Sequence, residues 1–431
     1  MPLLLMVHSA VADNWNYYVM AGFGRDHSEL RYKQTFSEQP NYNWEGDYSL
    51  KGPGVDIGAG MTKAISPRWR INLETSAGIS TAQSSLGLSS VTGDVGQVSI
   101  SRIWMTSARV MPVYEHYGQI GGVLGIEAMD YKMDSNIASF GSVGTTNQIA
   151  VGFMAGITAQ SAITDQWSWR FSWLETLFPA YDYTVYKNYS NPDDVGATAN
   201  RQDVSFKPTI DRFLTSIIYY PNKSQDRSKV TERPLSFDYY LLLNPVKDVT
   251  ELSESEDEEQ LLKTFHLPLA VSGWGGSATL GKRIHINDRF FFGMEGYGQY
   301  TNSSEENQGF KVDYRNKEYL THDWDVGLLF APGFNVSNGQ NIVVLAGIAR
   351  GAFTEHGPEK LVSGEAIHDY VWGGVLGIRD EVTIDQNWRF TLGMKVTSYQ
   401  TLVVDTGGDF STNDLDQISS GIYSVGVLYG W

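Results

Sequence analysis

The chain contains no cysteine, which removes disulfides, thiolate metal sites and thiol nucleophiles together. It is also short of basic residues: Lys and Arg number 32 against 49 Asp and Glu, a formal charge of −17 at pH 7. Such a chain repels polyanions, so nucleic acid is excluded as an expected partner. Long hydrophobic runs are missing too. No stretch reaches the roughly 18 consecutive apolar residues that a membrane-spanning helix needs. Any crossing of a bilayer has to be made by strands.

What is abundant points the same way. Glycine supplies 44 of 431 residues, above the usual share of roughly 7%, and Phe, Trp and Tyr together reach 13%. Residues 1–12 stand apart: the apolar run Leu3 to Val7 ends in Ala10-Val11-Ala12, a small-x-small pattern of the kind cut by a signal peptidase. They are expected to be the remnant of a signal peptide, with Asp13 starting the mature chain. From Asn14 onward the pattern is period two, as in Trp69-Ile71-Leu73 against Arg70-Asn72-Glu74. About sixteen such segments follow, each close to the length that crosses a bilayer when tilted. The acidic piece Glu254 to Lys263 is the one candidate for a helix.

The connections alternate in length. Short turns occur at residues 65–68, 114–117, 164–166, 286–288, 336–339 and 384–387. Long polar stretches, such as Arg25 to Pro53, Tyr183 to Pro208, Pro245 to Pro268 and Asn302 to His322, are expected to be loops. Aromatic residues mark both strand ends: Trp69, Trp167, Trp388 and Trp431 near the short turns or chain end, Trp324, Tyr370 and Tyr399 near the long connections. Amphipathic rings at two depths read as paired girdles.

The sequence also repeats itself at an offset near 221. Gly60 matches Gly281, Arg68 matches Arg289, Glu74 matches Glu295, Gly152 matches Gly373 and Gly156 matches Gly377. With short slips, Trp169-Arg170-Phe171 matches Trp388-Arg389-Phe390 and Tyr17-Tyr18 matches Tyr239-Tyr240. One eight-strand unit is therefore read as duplicated, with repeats at 13–221 and 235–431 and a periplasmic linker at 222–234. Counting back from Trp431, the alternate positions Tyr429, Val427, Val425 and Tyr423 form an apolar row ending in an aromatic.

On these residues each half resembles the OmpA-like or opacity-type family of eight-stranded bacterial outer-membrane barrels. The terminal row resembles the insertion signal of outer-membrane proteins. The resemblance implies an integral protein of the Gram-negative outer membrane, surrounded by lipid and lipopolysaccharide, with recognition of Tyr423, Val425, Val427, Tyr429 and Trp431 by the barrel-assembly machinery.

The fold expected is an all-β transmembrane antiparallel up-and-down barrel. Sixteen strands can close as one large barrel around an aqueous lumen, the leading expectation, or as two tandem eight-stranded barrels filled by side chains. For the large barrel the lumen-facing wall would carry Arg70, Glu74, Arg170, Arg289, Glu295, Arg379, Arg389 and Lys395, all on the polar face by alternation. The function expected is a passive channel for hydrophilic solutes or a secreted polymer. The alternative is a non-conducting surface barrel whose long loops bind host, phage or lipopolysaccharide, and an outer-membrane hydrolase ranks last. An oligomer or a partner lipoprotein stays open.

Candidate chemistry is thin. Eight histidines are scattered, with no H-E-x-x-H spacing. The pairs His322-Asp323 and His368-Asp369 are adjacent on strands, so their side chains point to opposite faces and do not form catalytic pairs. No enzyme activity and no cofactor are expected. The acidic run holding Glu254, Glu256, Asp257 and Glu258 reads as a solvated loop; its oxygen ligands suit Ca²⁺ or Mg²⁺, without EF-hand spacing.

Overall fold

The computed structural model describes residues 15–36, 44–89, 95–137, 146–186, 201–221, 237–258, 263–308, 317–337, 339–356, 367–405 and 412–431. The signal-peptide reading of residues 1–12 and the linker at 222–234 lie outside them. The first ten strands are β1 (Asn16–Phe36), β2 (Trp44–Ser66), β3 (Trp69–Ser80), β4 (Gln83–Ser89), β5 (Val95–Glu115), β6 (Gln119–Ile137), β7 (Thr146–Ala162), β8 (Trp167–Leu177), β9 (Tyr181–Tyr186) and β10 (Arg201–Tyr219). The second ten are β11 (Tyr239–Glu258), β12 (Lys263–His285), β13 (Phe290–Gln308), β14 (Lys317–Phe330), β15 (Gly333–Ser337), β16 (Gln340–His356), β17 (Ile367–Thr383), β18 (Trp388–Tyr399), β19 (Leu402–Asp405) and β20 (Thr412–Gly430).

Each set of ten closes on itself in antiparallel pairing. Val19 of β1 lies opposite Tyr219 of β10, and Leu241 of β11 lies opposite Tyr429 of β20. In each barrel two staves are broken in mid-course, giving eight staves. Proline explains three of these breaks, because it lacks the N–H that the ladder needs. Pro179 follows β8 and Pro332 follows β14; Pro53 lies within the unbroken β2 and faces the β3–β4 break, where Thr81 N donates to its carbonyl at 3.0 Å but finds no N–H in return.

The leading expectation of one sixteen-stranded barrel is thus corrected, and the two-barrel alternative is the fold. Period-two alternation is identical in both closures; only the partner of β1 separates them, and that partner is β10. The long connections are corrected as well, since much of each is strand. β1 and β2 extend to Phe36 and from Trp44, and β11 runs to Glu258 before β12 resumes at Lys263. The acidic piece expected as loop or helix lies in β11 as far as Glu258. Ladders to β12 as far as Glu258 and to β20 as far as Glu256 pair its backbone, which outweighs its poor strand propensity.

The barrels stand side by side, with their short turns at the same end: Gly339 sits against the backbone of Tyr117. Phe171, Trp173 and Phe213 of the first pack with Val249, Leu392 and Tyr423 of the second, and the Trp173 and Tyr423 rings stack with centroids 6.0 Å apart. Ile120 and Ile342, equivalent in the two repeats, both join this cluster. The same face of each repeat is therefore used, as in a two-fold dimer. Three charged side chains pointing out of their own barrels meet here: Lys247 Nζ lies 2.8 Å from Glu175 and 2.8 Å from Asp211.

Candidate functional site

The interior of the first barrel is built around Glu74 on β3. Its carboxylate accepts from Tyr18 at 2.8 Å and Arg170 at 2.5 Å, and pairs with Arg109 at 2.8 Å. Arg109 reaches on to Asp56 at 3.3 Å. Farther from the short turns, Asp26 pairs with Arg102 and, at 2.9 Å, with Arg212, whose other nitrogen meets Glu127 at 2.7 Å. All eight groups are buried, and four guanidiniums balance four carboxylates. A buried charge without a partner would be costly, so the matching is what lets this interior exist.

The second barrel repeats the plan. Glu295 accepts from Tyr240 and from Arg379 at 2.5 Å. Glu381 gathers Arg283 at 2.5 Å, Arg379 at 3.1 Å and Arg389 at 3.5 Å. Lys395 Nζ lies 3.5 Å from the centroid of the Tyr297 ring. Arg70 is half-buried at the short-turn mouth of the first barrel and pairs with Glu115. Arg289 departs from the expected wall position: it is exposed in the bend between β12 and β13, where the chain turns and alternation no longer assigns a face.

These interiors leave little space. A cavity in the second barrel, bordered by Glu295, Tyr297, Arg379 and Lys395, measures about 40 Å³, room for about one water. In the first, ion pairs link β1, β2, β3, β5, β6, β8 and β10 across the interior.

His322 is enclosed in the second barrel, its Nδ1 2.7 Å from Asp248 and its Nε2 3.1 Å from Asp325. Strict alternation puts residues three apart on opposite faces. A register shift between His322 and Trp324 breaks it, so His322 and Asp325 both point inward. Asp323 instead accepts from Thr321 at 2.9 Å and Thr354 at 2.5 Å, and Thr354 meets His368 Nδ1 at 2.8 Å. Among the described residues no group of three or more His, Asp or Glu side chains is arranged to hold a metal ion.

The outward faces are hydrocarbon. Phe23 is 63% exposed and Ile57 67% in the first barrel, Leu280 63% and Leu376 68% in the second. Aromatic pairs bound this belt: Trp69–Tyr114, Trp167–Tyr219 and Trp388–Tyr429 near the short turns, Trp324–Tyr370 at the other end. No helix among the described residues is long and apolar enough to cross a membrane. A closed barrel with charges inside and hydrocarbon outside inverts the polarity of a water-soluble protein and suits a bilayer. The chain is an integral membrane protein built as a pair of β-barrels.

In this barrel pair Tyr423, Val425, Val427 and Tyr429 lie along the outward face of β20, and Trp431 stacks on Tyr429 with centroids 6.1 Å apart. Tyr423 is buried in the contact between the barrels.

No family model and no curated protein matches the chain. Solved structures do. Ail, the attachment invasion locus protein of Yersinia pestis, is 12% identical over 44% of this chain and 99% of its own, with a TM-score of 0.25. Neisserial surface protein A is 13% identical over 45% of this chain and 97% of its own, with a TM-score of 0.24. The Pseudomonas putida toluene transporter TodX is 10% identical over 98% of this chain and 91% of its own, with a TM-score of 0.25. At these TM-scores the likenesses carry no functional weight.

Sequence reasoning missed Arg109, Arg102, Arg212, Asp26, Arg283 and Glu381, which share the inner faces with the residues it selected. It also missed Asp211 and Lys247. Their signal was there: each is a charge on the apolar side of its strand, beside Phe213 and Val249.

Proposed function

We propose that this protein is a non-conducting surface barrel pair whose projecting hairpins bind partners outside the cell. The observation that supports the reading best is the closure of β1 onto β10. It makes two narrow barrels in place of one wide one, and an eight-stranded barrel is just wide enough for side chains to fill. The ion clusters around Glu74 and Glu295 occupy that width. The strands also continue well past the apolar belt, as β1 and β2 do to Phe36 and from Trp44, raising the loop tips above the bilayer. No catalytic role is proposed for His322, because both ring nitrogens are taken up by Asp248 and Asp325.

Single-channel recording on the purified protein in planar bilayers tests this. No stepwise conductance is expected at neutral pH. Reproducible porin-like steps would overturn the reading and restore the channel.

A further inference from the structure

The duplication allows one barrel to serve as the control for the other. At the end of the belt away from the short turns, Arg350 on β16 lies opposite Trp372 on β17. The pair at the same place in the first repeat is Ala128 opposite Val151, with Gly152 and Gly373 as the adjoining matched positions. The barrel wall therefore closes with two aliphatic side chains there, and the architecture does not require an arginine.

Arg350 points outward and is exposed, immediately above the exposed hydrocarbon of Ile348 and Leu376. Its guanidinium lies 5.1 Å from the Tyr370 ring centroid and 5.8 Å from that of Trp372, and Trp324 packs beside Tyr370. Among the described residues it makes no ion pair. A cation on the lipid-facing wall, at the depth of the aromatic girdle and without a carboxylate, meets lipid headgroups. Guanidinium binds phosphate through two parallel N–H bonds, while the flanking rings hold the side chain in place and cover the acyl boundary.

We propose that Arg350, Tyr370 and Trp372 form a docking site for a phosphate of lipopolysaccharide, the anionic glycolipid of the outer leaflet. The site is on the wall and not in the loops, so it goes beyond the surface-barrel reading, sharing with it only the outward orientation of the long hairpins. Conductance does not bear on it.

The test uses the full-length protein in neutral detergent, with lipid retention measured by native mass spectrometry. The probes are bis-phosphorylated lipid A, the same lipid A with its phosphates removed, and phosphatidylglycerol. Wild type should hold phosphorylated lipid A about tenfold more tightly than either other lipid, the worth of one charge-assisted contact. Arg350→Gln should abolish that preference, and Arg350→Lys should keep part of it. Unchanged heat-modifiable migration of both variants on gels shows that they are folded. Equal binding of the two forms of lipid A by wild type, or a preference that survives in Arg350→Gln, would overturn the site. Phosphatidylglycerol binding as tightly as phosphorylated lipid A would overturn the choice of glycolipid.

Discussion

Tyr18 donates a hydrogen bond to Glu74 at 2.8 Å inside the first barrel, and Tyr240 repeats it with Glu295 inside the second. Between the partners in each case runs a strand that carries a glycine, Gly60 or Gly281. A Cβ at Gly60 would come within 2.4 Å of the Tyr18 ring, and one at Gly281 within 2.1 Å of the Tyr240 ring. Repetition of these glycines in the sequence thus has a steric cause: the tyrosine ring lies across the neighbouring strand to reach the glutamate on the next.

Glu74→Ala leaves Arg109 and Arg170 buried with one partner fewer. It should destabilise the first barrel by roughly 3–5 kcal/mol, while Tyr18→Phe, which removes one hydrogen bond, should cost about 1 kcal/mol. Urea unfolding in lipid vesicles measures both. Equal stability of Glu74→Ala and wild type would show that the ion cluster fills the interior without holding it together.

Closure can be checked directly because the native chain has no cysteine to confuse the result. Cysteines at Val19 and Tyr219, opposite one another in the ladder, should crosslink under mild oxidation. A pair at Val19 and Val427 should not, and efficient crosslinking there would restore the single large barrel.

Lys247 joins the barrels through Asp211 and Glu175. Changing it to Met leaves two carboxylates in the contact with no cation, at a cost of a few kcal/mol. With a protease site placed in residues 222–234, the cleaved wild-type halves should migrate together in mild detergent and the Lys247→Met halves should separate. Co-migration of the variant would show that the apolar wall around Phe171 and Leu392 suffices.

Removal of Trp431 separates assembly from stability. The side chain is 58% exposed and stacks on Tyr429 and Tyr239, and the backbone exchanges two hydrogen bonds with Tyr239, so the finished barrel loses only one terminal ladder pair. Failure of the shortened chain to insert, seen as degraded or aggregated periplasmic protein, is the expected outcome and would report recognition of the terminal row. Normal insertion would show that the row carries no such signal.

By itself the sequence determined the period-two alternation of the belt-crossing segments and the short turns between them, because side-chain period and turn chemistry are local properties. It also placed Glu74 and Glu295 on the polar face. It did not say which edges close: every strand edge offers the same N–H and C=O groups, so β1 can pair in principle with β10 or β20. Nor did it pair the charges, since Glu74 and Arg170 are 96 residues apart and any inward arginine fits the pattern equally well. His322 and Asp325 share a face only through a register shift that alternation cannot foresee. Asp211 and Lys247 break the outer apolar pattern of their strands, and the docking of one barrel on the other is what pairs their charges. These choices belong to the tertiary structure because each depends on distances between segments that alternation, which is blind to separation along the chain, does not encode.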